Sequence, residues 1–244
     1  MLSRSYRRST TPLAALAIAL VFAFAASPAW AILNWNVNPP SNGYTVQQVI
    51  DAGGLRIGDK VFSSFDIVNT TTAGGTAPAA SAIRVRGFFD NTGAVGIEFN
   101  GAWFANVGQT VNSNIAFTVT ADAPYAINGV GLSLDAVGTI GTGLVSMVEQ
   151  VVENGGDVPE LPDSLSVFFQ KGNPLNTFTD SMSFTALPSI RVTKDIFLMG
   201  GNSGIAHLSR FSQKFSQIPE PGTILLGLAG LSLIAGARRR RPTA

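Results

Sequence analysis

The sequence contains no cysteine, and only one of its 244 residues is a histidine. The absence of cysteine excludes disulfide bonds, thiol catalysis, thiolate zinc sites and iron–sulfur clusters. With a single histidine, a zinc site built from several imidazoles is excluded as well. A folded domain in this chain is therefore expected to be held together by its apolar core and its backbone hydrogen bonds.

Charged residues are also few, at 13% of the chain, and they are unevenly distributed. Seven of the 16 basic residues lie in two terminal clusters, whereas all 15 acidic residues lie between Asp51 and Glu220. The segment between the clusters keeps nine basic residues against 15 acidic ones, which is a net charge of −6. Such a domain repels a phosphate backbone, so nucleic acid is not expected as a partner.

The first 31 residues have the order of a secretory signal peptide. Three arginines precede residue 9, an apolar run of 14 residues spans 13–26, and Ala29 and Ala31 bracket Trp30. The run is too short for an ordinary membrane span, and small residues at these two positions suit a signal peptidase. We predict cleavage after Ala31, with an uncleaved anchor as the alternative. The residues after Arg7 and Arg8 fit the twin-arginine motif poorly, which favours the general export pathway.

The C-terminal 27 residues, 218–244, contain a second membrane-directed segment. Two prolines flank Glu220, and Gly222 to Ala237 follow as 16 residues without a charge. As a helix this run reaches about 24 Å against about 30 Å of hydrocarbon, so it spans only if the bilayer thins. Four arginines then close the segment and favour a cytoplasmic C-terminus. We predict a transmembrane helix over residues 222–237 with the preceding domain outside the cytoplasm.

This tail resembles the PEP-CTERM sorting signal of Gram-negative bacteria. The resemblance rests on the apolar run and on two sets of residues: the motif Pro219, Glu220, Pro221 and Gly222 with Thr223, and the cluster Arg238, Arg239, Arg240 and Arg241. It implies that the partner is an exosortase, a membrane cysteine protease-transpeptidase that cleaves near the motif. It also implies a precursor anchored in the inner membrane and a mature form at the cell surface or outside the cell. An uncut C-terminal anchor is the alternative.

Residues 32–217 read as one all-β domain. Short runs rich in Val, Ile, Phe and Thr alternate with dense turn signals, and no long helical periodicity occurs. Residues 82–88, 114–120 and 189–198 alternate apolar and polar side chains, as strands with one buried face do. We expect nine to eleven strands in a β-sandwich, either jelly-roll-like or immunoglobulin-like. A short helix is predicted over Thr45 to Ala52, with Val46, Val49 and Ile50 on one face.

A second, local resemblance lies near the start of this domain. Residues 58–65 read G-D-K-V-F-S-S-F and are similar to a G-D-K-x-F strand found in many PEP-CTERM proteins. Residues 192–196 and 211–217 look like the closing strands of the same group. This resemblance implies no particular activity, and the simplest interpretation of the motif is a turn at Asp59 and Lys60 with Phe62 in the core.

Catalytic constellations are mostly absent from the sequence. The sequence contains no Gly-x-Ser-x-Gly motif that would supply a nucleophilic serine for His207. His207 is therefore interpreted as a surface residue of a strand. Glu98, Glu149 and Glu153 lie in predicted strands and could in principle act as a pair of carboxylates in glycoside hydrolysis. Nothing in the sequence pairs any of them with a second acid, so all are predicted to be solvated.

Two weaker possibilities concern ligands. Loops at residues 90–93 and 154–163 are rich in oxygen donors and could bind calcium, but they match no calcium motif and also suit plain turns. Four aromatic residues could stack on sugar rings if they were exposed in a row: Trp35, Tyr44, Trp103 and Tyr125. No cofactor and no metal site is expected.

The sequence therefore favours a non-enzymatic, exported surface or extracellular-matrix protein. The alternative is a carbohydrate-binding module that acts on extracellular polysaccharide, and a carboxylate enzyme ranks third.

Overall fold

The computed structural model describes residues 32–154 and 164–219, and these form thirteen β-strands and one short α-helix. The strands make two sheets, and the apolar core lies between them. Phe62 of one sheet and Phe215 of the other meet edge to face, with ring centroids 5.5 Å apart. The predicted β-sandwich is confirmed, with two strands more than the upper estimate. Two of the strands are only two residues long, which is too short to produce an alternating pattern.

One sheet has seven strands in the order β1-β3-β4-β7-β12-β9-β10. All neighbours are antiparallel except β1 and β3. The strands are β1 (Leu33–Asn34), β3 (Leu55–Ile57), β4 (Lys60–Thr72), β7 (Thr110–Ala121), β9 (Leu144–Glu153), β10 (Leu165–Phe169) and β12 (Ser189–Met199).

The other sheet has six strands in the order β11-β8-β13-β6-β5-β2, and every pair is antiparallel. The strands are β2 (Tyr44–Thr45), β5 (Arg84–Phe89), β6 (Val95–Ala105), β8 (Tyr125–Ile140), β11 (Thr179–Leu187) and β13 (Ile205–Pro219). The last strand, β13, is central because it pairs with β8 on one side and with β6 on the other.

The alternating patterns predict the buried faces of these strands. Ile83 and Val85 are buried while Arg84 and Arg86 are exposed, as the pattern of residues 82–88 predicts. In β12 the buried face includes Lys194 together with its apolar neighbours Ile190 and Val192. In β7 the pattern is incomplete, because Ala116 and Thr118 are buried along with the three predicted inward residues.

The G-D-K-x-F segment forms the hairpin between β3 and β4. Gly58 adopts a positive φ of 60° in the turn, Lys60 begins β4, and Phe62 is fully buried. The motif places a second phenylalanine three positions later, where a regular strand would point it to the opposite face. The pairing of β4 with β7 shifts in register between Ser63 and Asp66, and Ser64 within this irregularity has a φ of 52°. The shift breaks the regular alternation of the strand, so Phe65 also points into the core.

The predicted helix is present as α1 (Val46–Asp51). Thr45 caps it, because Thr45 Oγ1 accepts from the Gln48 backbone N–H at 3.1 Å and Gln48 Oε1 accepts from the Thr45 backbone N–H at 2.8 Å. Val46 and Val49 are buried, whereas Ile50, which was expected on the same face, is 37% exposed. Two turns of helix are too short to cover a third large side chain.

The terminal segments carry most of the predicted targeting features. The signal peptide with Ala29 and Ala31, the helix 222–237 and the arginine cluster 238–241 all lie outside the described residues. Within residues 32–154 and 164–219, no helix is long and apolar enough to cross a membrane.

Candidate functional sites

The end of β13 leads directly into the sorting motif. The pairing of β13 with β6 ends at Phe215, opposite Val95, but its pairing with β8 continues to Pro219, opposite Tyr125. The strand therefore overlaps the first two residues of the segment 218–244 that the sequence assigned to the tail. Of the predicted motif only Pro219 is described, and Glu220, Pro221 and Gly222 follow beyond it.

The residues considered for catalysis are scattered. His207 is exposed on β13, as predicted, and its ring lies against Gly138 of β8, where a Cβ atom would come within 2.3 Å of it. Glu98 is half-buried on β6, where it accepts from Asn100 at 2.8 Å, and Glu153 is exposed at the end of β9. Among the described residues, no group of three or more His, Asp or Glu side chains could hold a metal ion.

Glu149 corrects a prediction. The sequence interpretation treated it as a solvated strand residue, but its side chain is completely buried in the core. The reason is its position on β9, where it shares the inward face with Val145, Met147 and Val151. A buried carboxylate needs a charged or hydrogen-bonding partner, and two are present.

The partners of Glu149 come from two different strands. Lys194 lies directly opposite it on β12, and Lys194 Nζ donates to Glu149 Oε2. Gln213 reaches across from β13 in the facing sheet, and its Nε2 donates to Glu149 Oε1 at 2.5 Å. We call these three residues, Glu149, Lys194 and Gln213, the core cluster.

The core cluster is closed to solvent and lies beside two aromatic rings. Lys194 Nζ lies 5.9 Å from the ring centroids of both Phe117 and Phe211. All three members of the cluster are at most 1% exposed. Burial raises the pKa of Glu149 and lowers the pKa of Lys194, and in each case the charge of the partner opposes the shift. Burial therefore disfavours the charged form of each group, whereas the opposite charge of the partner favours it.

One atom of the core cluster has no partner. Gln213 Oε1 is buried and accepts no hydrogen bond from any described residue. A buried amide oxygen without a donor is uncommon in folded proteins and requires an explanation.

A second buried lysine, Lys60, lies near the C-terminal end of β13. Lys60 Nζ donates to Asp59 Oδ1 at 3.1 Å and to Gln217 Oε1. We call Asp59, Lys60 and Gln217 the rim cluster. The Lys60 side chain is fully buried, but Asp59 is 23% exposed. Burial lowers the pKa of Lys60, against the charge of Asp59.

The aromatic residues proposed for sugar stacking do not form an exposed row. Trp103 is buried, and Trp35 and Tyr44 are half-buried and pack edge to face against each other at 6.1 Å. Tyr125 is 37% exposed at the start of β8. The condition for sugar stacking by these four residues is therefore not met, because three of them pack within the domain.

A different surface offers a groove. It has a volume of about 480 Å³ and lies on the outer face of the six-stranded sheet. The Phe88 ring lies across Gly96, where a Cβ atom would be only 2.1 Å away, and the Lys214 chain lies over Gly131. Asp180 and Ser212 add polar groups to the wall. The groove thus combines one aromatic face with charged and hydroxyl groups.

The loop at residues 90–93 is an ordinary turn. Asp90 Oδ1 accepts from the backbone N–H and the hydroxyl of Thr92, at 2.8 and 2.6 Å, and from the backbone N–H of Ala94 at 3.0 Å. These bonds, led by the Thr92 hydroxyl, hold the pKa of Asp90 below its usual range. The carboxylate is occupied in the turn itself. Most of the second loop considered for calcium lies outside the described residues.

The sequence interpretation missed both clusters, although a signal was present. Lys194, Glu149 and Gln213 each interrupt an otherwise apolar inward face, and Gln213 lies between the buried Phe211 and Phe215. A polar residue in the middle of such a face indicates a partner elsewhere in the core. Which strands supply that partner depends on the pairing order, and the pattern of a single strand does not specify it.

The comparisons with solved structures return matches at low similarity. An enzymatically active domain of tailspike protein 4 of bacteriophage CBA120 matches with 14% identity and a TM-score of 0.30, over 61% of this chain and 19% of that one. The chain thus spans about a fifth of the tailspike domain.

Two other matches cover 88% of their own chains. TmCBM61, in complex with β-1,4-galactotriose, has 14% identity and a TM-score of 0.30 over 64% of this chain. The family 11 carbohydrate-binding module of Clostridium thermocellum, in complex with a mixed-linked tetrasaccharide, has 8% identity and a TM-score of 0.23 over 63% of it. No curated protein matches the chain significantly.

The family comparison concerns the C-terminal end alone. Residues 217–241 match the PEP-CTERM protein-sorting motif, so the resemblance noted in the sequence is confirmed for the tail. The match begins within β13 and indicates that the chain is an exported protein that carries a signal for exosortase processing.

Proposed function

We propose that this chain is a non-enzymatic protein of the cell surface or extracellular matrix. The leader exports it, the helix 222–237 holds the precursor in the inner membrane with residues 238–241 in the cytoplasm, and an exosortase then cleaves near the motif. The match of residues 217–241 to the sorting motif carries this proposal.

The position of the motif relative to the fold supports processing of a finished domain. β13 is a central strand and ends at Pro219, so a cut after that residue removes no strand from either sheet. The domain can therefore fold first and keep its structure after release.

The placement of the acids supports a non-enzymatic domain. Glu149 faces the core between the sheets, Glu98 faces outward on the six-stranded sheet, and Glu153 ends a strand of the other sheet. A glycosidase needs two carboxylates on one substrate about 5 to 10 Å apart. None of these three side chains shares a surface with another.

The test is the mass of the protein from its native host, in strains with and without the exosortase. We expect the enzyme-containing strain to lose everything after the motif, and the deletion strain to keep the chain through Ala244. A variant with alanine at Pro219, Glu220 and Pro221 should behave like the deletion strain. An intact tail in both strains would contradict the proposal.

Polysaccharide binding is a second candidate, and the groove with Phe88 is the observation that favours it. An aromatic face flanked by Asp180 and Lys214 suits a sugar ring, which stacks through its C–H face and hydrogen-bonds through its hydroxyls. If extracellular polymer from the host binds in calorimetry, Phe88→Ala should weaken binding about tenfold. Phe178→Ala, which removes an exposed aromatic residue outside the groove, is the matched control. Equal losses in both variants would exclude the groove.

A further inference from the structure

We propose that the core cluster forms an intramolecular isopeptide bond between Lys194 Nζ and Gln213 Cδ, with Glu149 as the catalytic acid–base. The bond would join β12 of one sheet to β13 of the other. In a chain without cysteine it would supply the covalent link between the two layers that disulfides provide in other exported proteins.

The geometry of the cluster is the first argument. The amine and the amide are held on the two oxygens of a single carboxylate, and all three groups are enclosed in the core. Such positioning replaces a bimolecular encounter with a reaction between fixed neighbours, which is one of the largest rate factors available in proteins. Exclusion of water also removes the competing hydrolysis of the amide.

The protonation state is the second argument. An ammonium group is not a nucleophile, and an amine becomes one when an apolar pocket removes its charge. Lys194 is fully buried, and desolvation, which disfavours the ammonium form, acts against the attraction between that charge and the rings of Phe117 and Phe211, 5.9 Å away. Burial disfavours both charges and so lowers the cost of moving the lysine proton to Glu149, a transfer that would leave a free amine beside a carboxylic acid.

The reaction balances without any added reagent. Nζ attacks Cδ, the Nζ–Cδ bond forms, and the bond from Cδ to Nε2 breaks. Glu149 gives its proton to the departing nitrogen and takes one from the attacking nitrogen, so the acid is regenerated. One N–H proton remains in the new amide, and ammonia leaves with three. No atom changes its oxidation state.

The contacts match these roles. Gln213 Nε2, the leaving nitrogen, donates to Glu149 Oε1, so the carboxyl group that would protonate it is in direct contact with it. Gln213 Oε1, by contrast, has no partner among the described residues. An amide that serves only as a structural hydrogen-bonding group would be expected to use its acceptor as well as its donor.

The rim cluster provides the internal comparison. It also brings a lysine, a carboxylate and a glutamine together across the two sheets. Its carboxylate, however, bonds only the lysine, and Asp59 is partly exposed to water. In the rim cluster no shared acid connects the amine to the leaving nitrogen, so we expect no bond there.

The test is the intact mass of the denatured, processed protein from the host. We expect the mass to fall short of the sequence mass by one ammonia, about 17 Da. An arginine-specific digest cuts at Arg210, between Lys194 and Gln213, so a pair of peptides that stays joined after this digest localises the bond.

Variants distinguish the ammonia lost when this bond forms from ammonia lost elsewhere in the chain. Lys194→Met, Gln213→Leu and Glu149→Gln should each restore the full mass, whereas Lys60→Met should keep the deficit. The wild-type mass decides the question even if a core variant fails to fold. A full-mass wild-type chain would overturn the proposal. A loss of about 18 Da with Lys194 joined to Glu149 would overturn it too, because the carboxylate would then be the acyl donor and not the catalyst.

Discussion

The two buried lysines of this domain differ in what surrounds them. Lys194 lies in the centre of the sandwich between two phenylalanine rings, and both of its partners are buried with it. Lys60 is equally buried, but its partner Asp59 is partly exposed at the rim. Water can replace a lost partner at the rim and cannot do so in the centre. The energetic cost of changing a partner should therefore be much larger for Lys194 than for Lys60.

The largest expected effect is that of Glu149→Leu. This change leaves the Lys194 amine in the core without its acid, and loss of one member of a buried pair typically costs about 3–5 kcal/mol. Urea denaturation should show that loss in the free energy of unfolding. The double variant Glu149→Leu with Lys194→Met should be more stable than the single one by most of this amount. If the double variant is no more stable than the single one, the loss of stability in Glu149→Leu comes from altered packing and not from the unpaired lysine.

Lys194→Met should produce a stability that depends on pH. Without the lysine charge, burial alone raises the pKa of Glu149 further above its unfolded value of about 4.3. The folded state then binds more protons than the unfolded state above that pH, so stability falls as pH rises. Denaturation series from pH 4 to pH 8 should show this decline in Lys194→Met and its absence in Lys194→Met with Glu149→Gln. The charge of Asp180, which also raises the pKa of Glu149, is unchanged in both.

Lys60→Met should cost far less, about 1 kcal/mol, because the methionine fills the space of the lysine chain and Asp59 can turn to water. The same urea series measures it, with Lys194→Met as the comparison. A cost equal to that of Lys194→Met would remove the distinction between centre and rim.

Gln217→Leu should have the smallest effect, under about 1 kcal/mol, since Lys60 keeps Asp59 as its partner. Gln217 is half-buried and lies two residues before Pro219. Denaturation and the extent of tail cleavage in the host should both be close to wild type. A large loss of stability would show that the C-terminal end of β13 depends on this contact.

Local patterns predict much of the fold. The alternation of residues 82–88 predicts which side of β5 is buried, and the spacing around Thr45 predicts α1. Both succeed because they depend on neighbours within a few residues. The alternation of β12 places Lys194 on the apolar face, and that of β9 places Glu149 there too, contrary to its predicted exposure to solvent. The sequence left open whether the four aromatic residues stack on sugars, because an aromatic residue in a strand is equally consistent with the core and with the surface.

The sequence alone indicated an exported protein and predicted the class of its fold. The sorting motif is a linear signal, and a β-sandwich follows from period-two patterns that each strand carries by itself. Only the tertiary structure decided that Glu149, Lys194 and Gln213 meet. They lie on three strands of two sheets, separated by as many as 64 positions in the chain. Strand order and register bring them together, and these depend on the packing of the whole core.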